Sequence, residues 1–163
     1  MTEDSKITQV GTQPNVIATV DGTKVTPDTP VPVGNYIVTA VNGTLTITQF
    51  DAIFEITSGT KSWTYDGTLH TYEAYTVKLE DDEQTGAEGQ TEFILFNGDV
   101  VTITPTAAGV TQVSDTASNN NTFDYTVTKD GSDSSGYYKE IIKTEGTLTI
   151  NPIDAVVTII GTS

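Results

Sequence analysis

The sequence contains no cysteine and no arginine, and only one methionine, one tryptophan and one histidine. Without cysteine there are no disulfides, thiol nucleophiles or thiolate metal ligands, so an exported form of the chain would depend on packing alone for its stability. No apolar run is long enough to span a membrane. Helical periodicity is also missing, because no long window places apolar side chains at i, i+3, i+4 and i+7.

Positive charge is scarce. The 163 residues carry 7 basic side chains, all of them lysine, against 22 acidic ones, which gives a net charge of −15. Such a chain repels phosphate backbones and anionic lipid, so we expect no nucleic-acid partner and no membrane insertion. What is abundant is threonine, with 32 residues, together with valine and isoleucine. Branching at Cβ favours strands over helices.

An internal repeat organises the chain. Gly43–Ile47 recurs, identical in sequence, at 146–150, and Asp51-Ala52 recurs as Asp154-Ala155. The spacing is 103 residues in both cases, and 8–10 recurs at 111–113 with the same spacing. At one residue less, 34–36 falls on 136–138. Matches at one offset in separated places indicate duplication, and we expect residues 43–57 and 146–160 to occupy equivalent places in two copies of one unit.

The period predicts three segments. Residues 1–49 match only the C-terminal half of a module, residues 50–153 form a full module, and residues 154–163 match its opening strand. No export signal is present at Met1 and no anchor precedes Ser163, so we expect a piece of a longer protein. The tail of one chain is also a candidate to complete the first module of another, because unpaired strands invite addition to a sheet edge.

Strand signals follow one another at short intervals in the full module. Apolar and polar residues alternate most clearly around Val101 and Ile103 and around Phe123 and Val127. The predicted strands are 52–56, 62–65, 72–79, 92–96, 100–104, 123–128, 137–143 and 147–150. Turn dipeptides that tolerate positive φ lie at 21–22, 42–43, 66–67, 97–98 and 130–131. This pattern predicts an all-β fold of tandem antiparallel, Ig-like β-sandwich modules, with polar loops at 80–90, 114–122 and 130–136.

Several of these motifs resemble the MBG and YDG type of tandem module found in large bacterial surface proteins. The resemblance rests on five short stretches: 63–67, 112–123, 136–150, 34–38 and 43–47. It covers most of residues 34–50 and 62–152. It implies an all-β stalk or adhesin repeat that is secreted and attached to a cell surface through other regions, and it carries over no catalytic residue.

Repeated sandwich modules contact mainly their neighbours and therefore form an extended array. The junctions at 48–52 and 151–155 contain no glycine or serine run, which favours a fairly fixed angle between modules. We therefore expect a non-catalytic, semi-rigid spacer that projects a binding region. Its expected partners are neighbouring repeats and a host glycan or surface protein. No cofactor is expected.

Two kinds of binding site are candidates. Asp130, Ser132 and Asp133 could supply oxygen ligands for a weak calcium site, and the acidic run at 80–83 is a second possibility. Neither matches a known calcium loop, and a solvated loop is the alternative for each. Trp63 and Tyr65 lie two residues apart and so share one face of a strand, where they could stack on a sugar ring. The alternative for Trp63 is a place in the core.

The remaining candidates concern single residues. His70 is the only histidine and has no nucleophile at a known spacing, so we expect it to face solvent on a strand rather than to act in catalysis. Lys61 and Asn151 lie near the two ends of the module and are conceivable partners in an amide cross-link. The alternative is that Lys61 is exposed.

Overall fold

The computed structural model describes residues 10–161. Within that range the chain forms sixteen short β-strands, two short 3-10 segments and no α-helix, so the all-β prediction is confirmed. The chain divides into two compact units between Phe50 and Asp51. The predicted boundary was between 49 and 50. Each unit has its own buried residues, and each is described by itself.

The first unit contains six strands: β1 Gly11–Asn15, β2 Thr19–Val20, β3 Thr23–Lys24, β4 Val31–Val33, β5 Tyr36–Val38 and β6 Gly43–Ile47. They pair antiparallel as β1 with β6, β2 with β3, and β4 with β5. Its core is small, because Val25, Val33 and Ala40 are the only buried hydrophobic residues between positions 10 and 50. In β1 and β6 the first residue of one strand, Gly11, lies opposite the last residue of the other, Ile47.

The second unit contains ten strands: β7 Phe54–Ser58, β8 Lys61–Thr64, β9 Tyr75–Leu79, β10 Asp82–Thr85, β11 Glu92–Ile94, β12 Val100–Pro105, β13 Phe123–Lys129, β14 Ser132–Asp133, β15 Ile142–Thr144 and β16 Leu148–Asn151. One four-stranded sheet has the order β10-β9-β7-β15, and another has the order β11-β12-β13-β14. A further pair joins β16 to β8. The arrangement has the β-sandwich character that the strand spacing predicted.

The main core of the second unit is built from alternate residues of both four-stranded sheets. Val101 and Ile103 of β12 and Phe123 and Val127 of β13 are buried, and the residues between them are not, which confirms the predicted alternation. The inward side of the other sheet supplies Phe54, Ile56, Tyr75, Val77 and Leu79. A separate cluster of Val110, Leu148 and Ile150 lies beneath Trp63 and Tyr72.

Two pairings in the second unit are parallel, which the prediction of antiparallel sheets missed. β15 runs parallel to β7, with Ile142 opposite Glu55. β16 runs parallel to β8, with Asn151 opposite Thr64. The first strands of the unit therefore pair with its last strands, at partners far apart in sequence.

The turn predictions hold for two hairpins. Asp21-Gly22 and Asp130-Gly131 have positive φ at both residues, as a two-residue hairpin of the I′ type requires. Each hairpin has an equivalent backbone hydrogen bond just beyond its paired residues. Val25 N donates to Ala18 O at 3.0 Å in the first hairpin, and Ser134 N donates to Val127 O at 2.9 Å in the second. The remaining dipeptides lie in wider loops or, at Gly43, at a strand start.

Four strand predictions and one loop prediction need correction. The strand predicted at 52–56 is β7, Phe54–Ser58. β9 begins only at Tyr75, not at 72, and β11 ends at Ile94, not at 96. The predicted strand 137–143 is reduced to β15, because residues 135–137 form a 3-10 turn. The predicted loop 80–90 contains β10, a charged edge strand that pairs with β9 through the turn at Glu80.

The repeat copies are only partly equivalent in structure. Gly34 lies in the positive-φ turn between β4 and β5, whereas its predicted counterpart Gly136 lies in the 3-10 turn. Gly43–Ile47 pairs antiparallel with β1, whereas its copy in β16 pairs parallel with β8. The physical reason is that residues 10–50, the described part of the first unit, contain no counterpart of β7 or β8. Residues 8 and 9 of the third match lie outside the described residues.

The predicted opening strand at 154–163 is not a strand in the described part of the chain. Residues 152–161 have no strand pairing, and their apolar side chains are exposed. The matching residues 54–58 form β7, which has a strand on either side. The two segments therefore differ in their surroundings, because one has pairing partners and the other has none.

Candidate functional site

The first two strands of the second unit pair with its last two strands. Three residue pairs join β7 to β15, and four join β8 to β16. Backbone hydrogen bonds from Lys61 N to Thr147 O (3.0 Å) and from Tyr65 N to Asn151 O (2.8 Å) lengthen the second ladder. We call these two parallel pairings the terminal seam.

The terminal seam places the two chain ends of the unit at opposite ends of its strands. Because the paired strands are parallel, the start of β7 lies beside the start of β15, and the end of β16 lies beside the end of β8. The chain thus enters at one end and leaves at the other.

A buried polar network stabilises the bend at 58–60, where the chain passes from β7 to β8. Ser58 Oγ donates to Asn121 O at 2.6 Å and accepts from Gly146 N at 2.9 Å. Asn121 Nδ2 donates to Gly59 O at 2.8 Å and to Tyr72 O at 2.9 Å. Buried polar groups that are left without a partner cost free energy, so this network fixes the bend in one conformation.

Residue 146, which lies against this bend, must be a glycine. A Cβ on Gly146 would lie 2.2 Å from Gly59 O and 2.6 Å from Ser58 O. These two atoms belong to the backbone and cannot rotate away, so the two chain segments approach this closely only because residue 146 has no side chain.

Side chains complete the outer side of β16. Asn120 bonds Leu148 twice, accepting from its N–H at 2.6 Å and donating to its carbonyl at 2.9 Å. Thr116 Oγ1 accepts from Ile150 N at 2.9 Å. In the first unit β1, which is the repeat counterpart of 114–118, pairs with β6 in a regular ladder. Side-chain hydrogen bonds thus take the place of a strand ladder on this flank of β16.

Trp63 and His70 form a stacked pair beside the terminal seam. Their ring centroids are 4.8 Å apart with an interplanar angle of 21°. Trp63 is half-buried against the cluster of Val110, Leu148 and Ile150, so one face of the indole contributes to the core. Of the two residues predicted to form a sugar platform, Trp63 is thus partly used in packing, whereas Tyr65 follows the end of β8 and is 40% exposed.

His70 does not face solvent, contrary to the prediction. Its side chain is 18% exposed, and its Nε2 lies 3.0 Å from Asp66 Oδ1 and 3.3 Å from Thr68 Oγ1. Hydrogen bonds from the Thr68 backbone and hydroxyl, together with His70, lower the pKa of Asp66 to about 2. Hydrogen bonds among Asp66, Thr68 and His70 thus stabilise the loop after β8.

Tyr65 borders a shallow groove of about 370 Å³. Its other lining residues are Gln112, Val113, Ser114, Pro152 and Ile153. An exposed aromatic ring with amide and hydroxyl groups beside it offers one stacking surface and a few hydrogen-bonding groups. Nothing in the sequence placed residues 112–114 next to Tyr65, because they are almost fifty residues away.

Lys61 and Asn151 are not partners. Within β8 and β16 Lys61 lies opposite Leu148, and Asn151 lies opposite Thr64. The Lys61 ammonium lies 4.5 Å from the centroid of the Tyr72 ring and 3.5 Å from Glu88 Oε2. This placement does not support the amide cross-link that was conceivable for the pair.

The candidate calcium residues flank a hairpin turn. Asp130 is a turn residue with φ of 50°, and Asp133 Oδ1 accepts from the Ser135 backbone and hydroxyl at 2.9 and 2.7 Å. These bonds lower the pKa of Asp133. The acidic run at 80–83 is divided between a turn and β10. Within residues 10–161, no three acidic or histidine side chains converge to hold a metal ion.

Sequence reasoning missed a second polar network, at the Asn97 loop. The buried Asp99 carboxylate accepts from Ser134 Oγ at 2.8 Å, from Asn97 Nδ2 at 3.0 Å and from the Tyr138 hydroxyl. Burial, followed by the bond to Asp99, raises the pKa of Tyr138. The network joins the loop between β11 and β12 to the segment before β15. Its one signal in the sequence was the pair of turn residues before Asp99.

Across residues 10–161 there is no helix with the length and apolar character needed to cross a bilayer. Comparison with protein-family models, curated proteins and solved structures found no match to this chain.

Proposed function

We propose that this chain is a non-catalytic spacer repeat of a secreted bacterial surface protein, which keeps its length under tension and projects a binding region. The observation that carries the proposal is the terminal seam of the second unit. The internal repeat and the resemblance to MBG and YDG modules support the surface role. The net charge of −15 favours solvation and self-repulsion of an extended chain.

The direction of pairing decides how the unit responds to a pull on its ends. In the terminal seam the chain enters and leaves at opposite ends of parallel strands, so a pull slides the strands past each other. The hydrogen bonds of both ladders then carry the force together and must break together. A spacer needs this geometry, because each unit must hold its length while a bound partner pulls.

The first unit has the opposite geometry. Gly11 and Ile47 are paired, so a pull on the two ends separates β1 and β6 one residue pair at a time. Hydrogen bonds broken one after another resist much less force than bonds broken at once. The same chain therefore contains an internal comparison for the proposal.

Pulling the 163-residue chain by its ends in single-molecule force spectroscopy tests the proposal. We expect two unfolding steps, the first at low force from the first unit and the second at clearly higher force from the second unit. Thr149→Pro removes a backbone donor from β16 and should lower the force of the second step. Val101→Ala lies outside the terminal seam and removes buried volume, so it should lower thermal stability with little change in force.

Equal low forces for both units, or equal force changes in the two variants, would show that the terminal seam does not resist tension. Loss of thermal stability in both variants is expected and serves as the check that each substitution acts on the folded unit.

A second candidate function is glycan binding, which the Tyr65 groove favours. Tyr65→Ala should abolish chemical-shift changes of Gln112 and Ser114 on addition of mucin-type oligosaccharides, and Tyr36→Ala, an exposed tyrosine in the first unit, should not. If oligosaccharides cause no shifts in the unsubstituted chain, this candidate fails.

A further inference from the structure

The segment after β16 is the most apolar exposed stretch of the second unit. Val156 and Ile159 are 93% and 90% exposed, and Val157 and Ile160 are exposed almost as fully. None of these residues belongs to a strand pairing. Four large aliphatic side chains within five residues are a strand-like pattern without a partner.

The repeat identifies what this segment matches. Residues 153–161 correspond to 50–58 at the spacing of 103 residues, with Asp154-Ala155 and Ile159 identical to Asp51-Ala52 and Ile56. Phe54 and Ile56 are fully buried in β7, and they correspond to Val157 and Ile159. Ile53 is exposed and corresponds to Val156. The segment thus carries apolar residues at the buried positions of a β7 strand.

We infer that residues 154–161 are a β7-type strand whose partner is a second copy of the segment 59–152. In the second unit β7 lies between β9, which is antiparallel to it, and β15, which is parallel. A second copy of 59–152 would supply both of these strands and leave the place between them empty. This inference rests on the repeat and on the exposed segment, and does not depend on the spacer role.

One polar contact of β7 also transfers to the segment. Asp51 Oδ2 accepts from Lys139 Nζ at 3.1 Å in the second unit. Asp154 stands at the matching position and would meet the Lys139 of the second copy. By contrast, Gly161 matches Ser58 and lacks the hydroxyl that bonds Gly146 and Asn121.

The first unit does not offer this place. Ala40 matches Lys143 at the same spacing, and Lys143 pairs with Ile56 of β7. In the first unit Ala40 instead pairs in parallel with Pro27, and Asp28 N donates to Ala40 O at 2.9 Å. The loop between β3 and β4 therefore covers, in the first unit, the strand edge that β7 covers in the second.

Extension of the chain tests the inference. A second copy of residues 59–152 is fused after Gly161, and its folding is followed by hydrogen exchange and by thermal unfolding. We expect the added copy to fold cooperatively and to protect the amides of 156–160. Ile159→Asp, at a buried position of the strand, should abolish protection in the added copy. Val156→Asp, at the matched exposed position, should leave it nearly unchanged.

Two controls isolate the strand. Ile159→Asp in the 163-residue chain should leave its unfolding unchanged, because Ile159 is exposed there. Gly161→Ser should stabilise the added copy by restoring the Ser58 hydroxyl. An added copy that folds equally well with Ile159→Asp, or with 154–161 replaced by glycine and serine, would overturn the inference.

A test with unlinked chains separates the source of the partner. Each 163-residue chain already fills the place between β9 and β15 with its own β7, so we expect a monomer by light scattering. A mass twice that of the monomer, reduced to the monomer mass by Ile159→Asp, would show that residues 154–161 bind a unit that already contains its own β7. That result would overturn the inference that the partner is a copy of 59–152 without β7.

Discussion

Gly-Thr-Leu-Thr-Ile occurs twice in this protein and pairs in opposite directions. At 43–47 it forms β6, which is antiparallel to β1, and at 146–150 it leads into β16, which is parallel to β8. The pentapeptide therefore specifies a strand but not its partner. Partner choice depends on whether strands such as β7 and β8 are present, because within residues 10–161 they occur only in the second unit.

The parallel pairing of the second unit requires a closer approach of backbone segments than the first unit has. In the second unit the bend at Gly146 brings three backbone segments together around Ser58 and Asn121. In the first unit a Cβ on the matching Gly43 would meet only Asn15, whose own Cβ would lie 3.8 Å away in ordinary van der Waals contact. Matched substitutions in the two copies can therefore measure what the closed module adds.

The largest difference is expected at the paired glycines. Gly146→Ala should destabilise the second unit by about 4 kcal/mol or more, because the backbone must move to admit the methyl group. Gly43→Ala should change the stability of the first unit by less than about 0.5 kcal/mol. Urea unfolding followed by Trp63 fluorescence reports the second unit, and hydrogen exchange of the β1 and β6 amides reports the first. Equal effects would mean that the bend tolerates a side chain.

A smaller difference is expected at the paired leucines. Leu148 is fully buried, whereas Leu45 is only partly buried. Leu148→Ala should cost about 3 kcal/mol through lost transfer energy and a residual cavity. Leu45→Ala should cost about 1 kcal/mol, since its site can collapse or admit water. The same two measurements apply, and a larger cost at Leu45 would contradict the small core assigned to the first unit.

The smallest effect is expected in acid, at a cluster that the first unit lacks. The folded pKa of Asp66 is about 2 against an ordinary 3.8, so its stabilising effect is present above 3.8 and is lost as the pH falls towards 2. The melting temperature of the second unit should therefore fall more between pH 4 and pH 2 than that of Asp66→Asn. Parallel curves for the two proteins would show that the Thr68 and His70 bonds do not persist in solution.

Local chemistry explains what could be predicted from the sequence. The alternation in β12 and β13 predicted which side chains are buried, and Asp21-Gly22 and Asp130-Gly131 predicted hairpins because few other residues accept positive φ at both positions. β10 was missed because its residues are polar and charged, which suits an edge strand but gives no apolar signal. The turn at Glu80 has no glycine to mark it.

Long-range pairing explains what could not be predicted. The parallel partners of β7 and β8 lie 87 residues away, and no local pattern distinguishes a parallel from an antiparallel neighbour. The same limit applied to His70, whose position depends on a stack with Trp63 and a bond to Asp66. The groove at Tyr65 also needed a distant loop. These three misses concerned which residues meet, while most strand positions followed from composition.

The separation of 87 residues between the paired strands also sets the order of events during synthesis. At usual elongation rates, roughly 4 to 17 s pass between the emergence of β7 and that of β15. Throughout that interval the edge of β7 is bare and open to the closing strand of any neighbouring copy. Pairing across such distances is also slow. Nascent chains made side by side are therefore at risk of exchanging their last strands, and that risk grows with the local density of ribosomes.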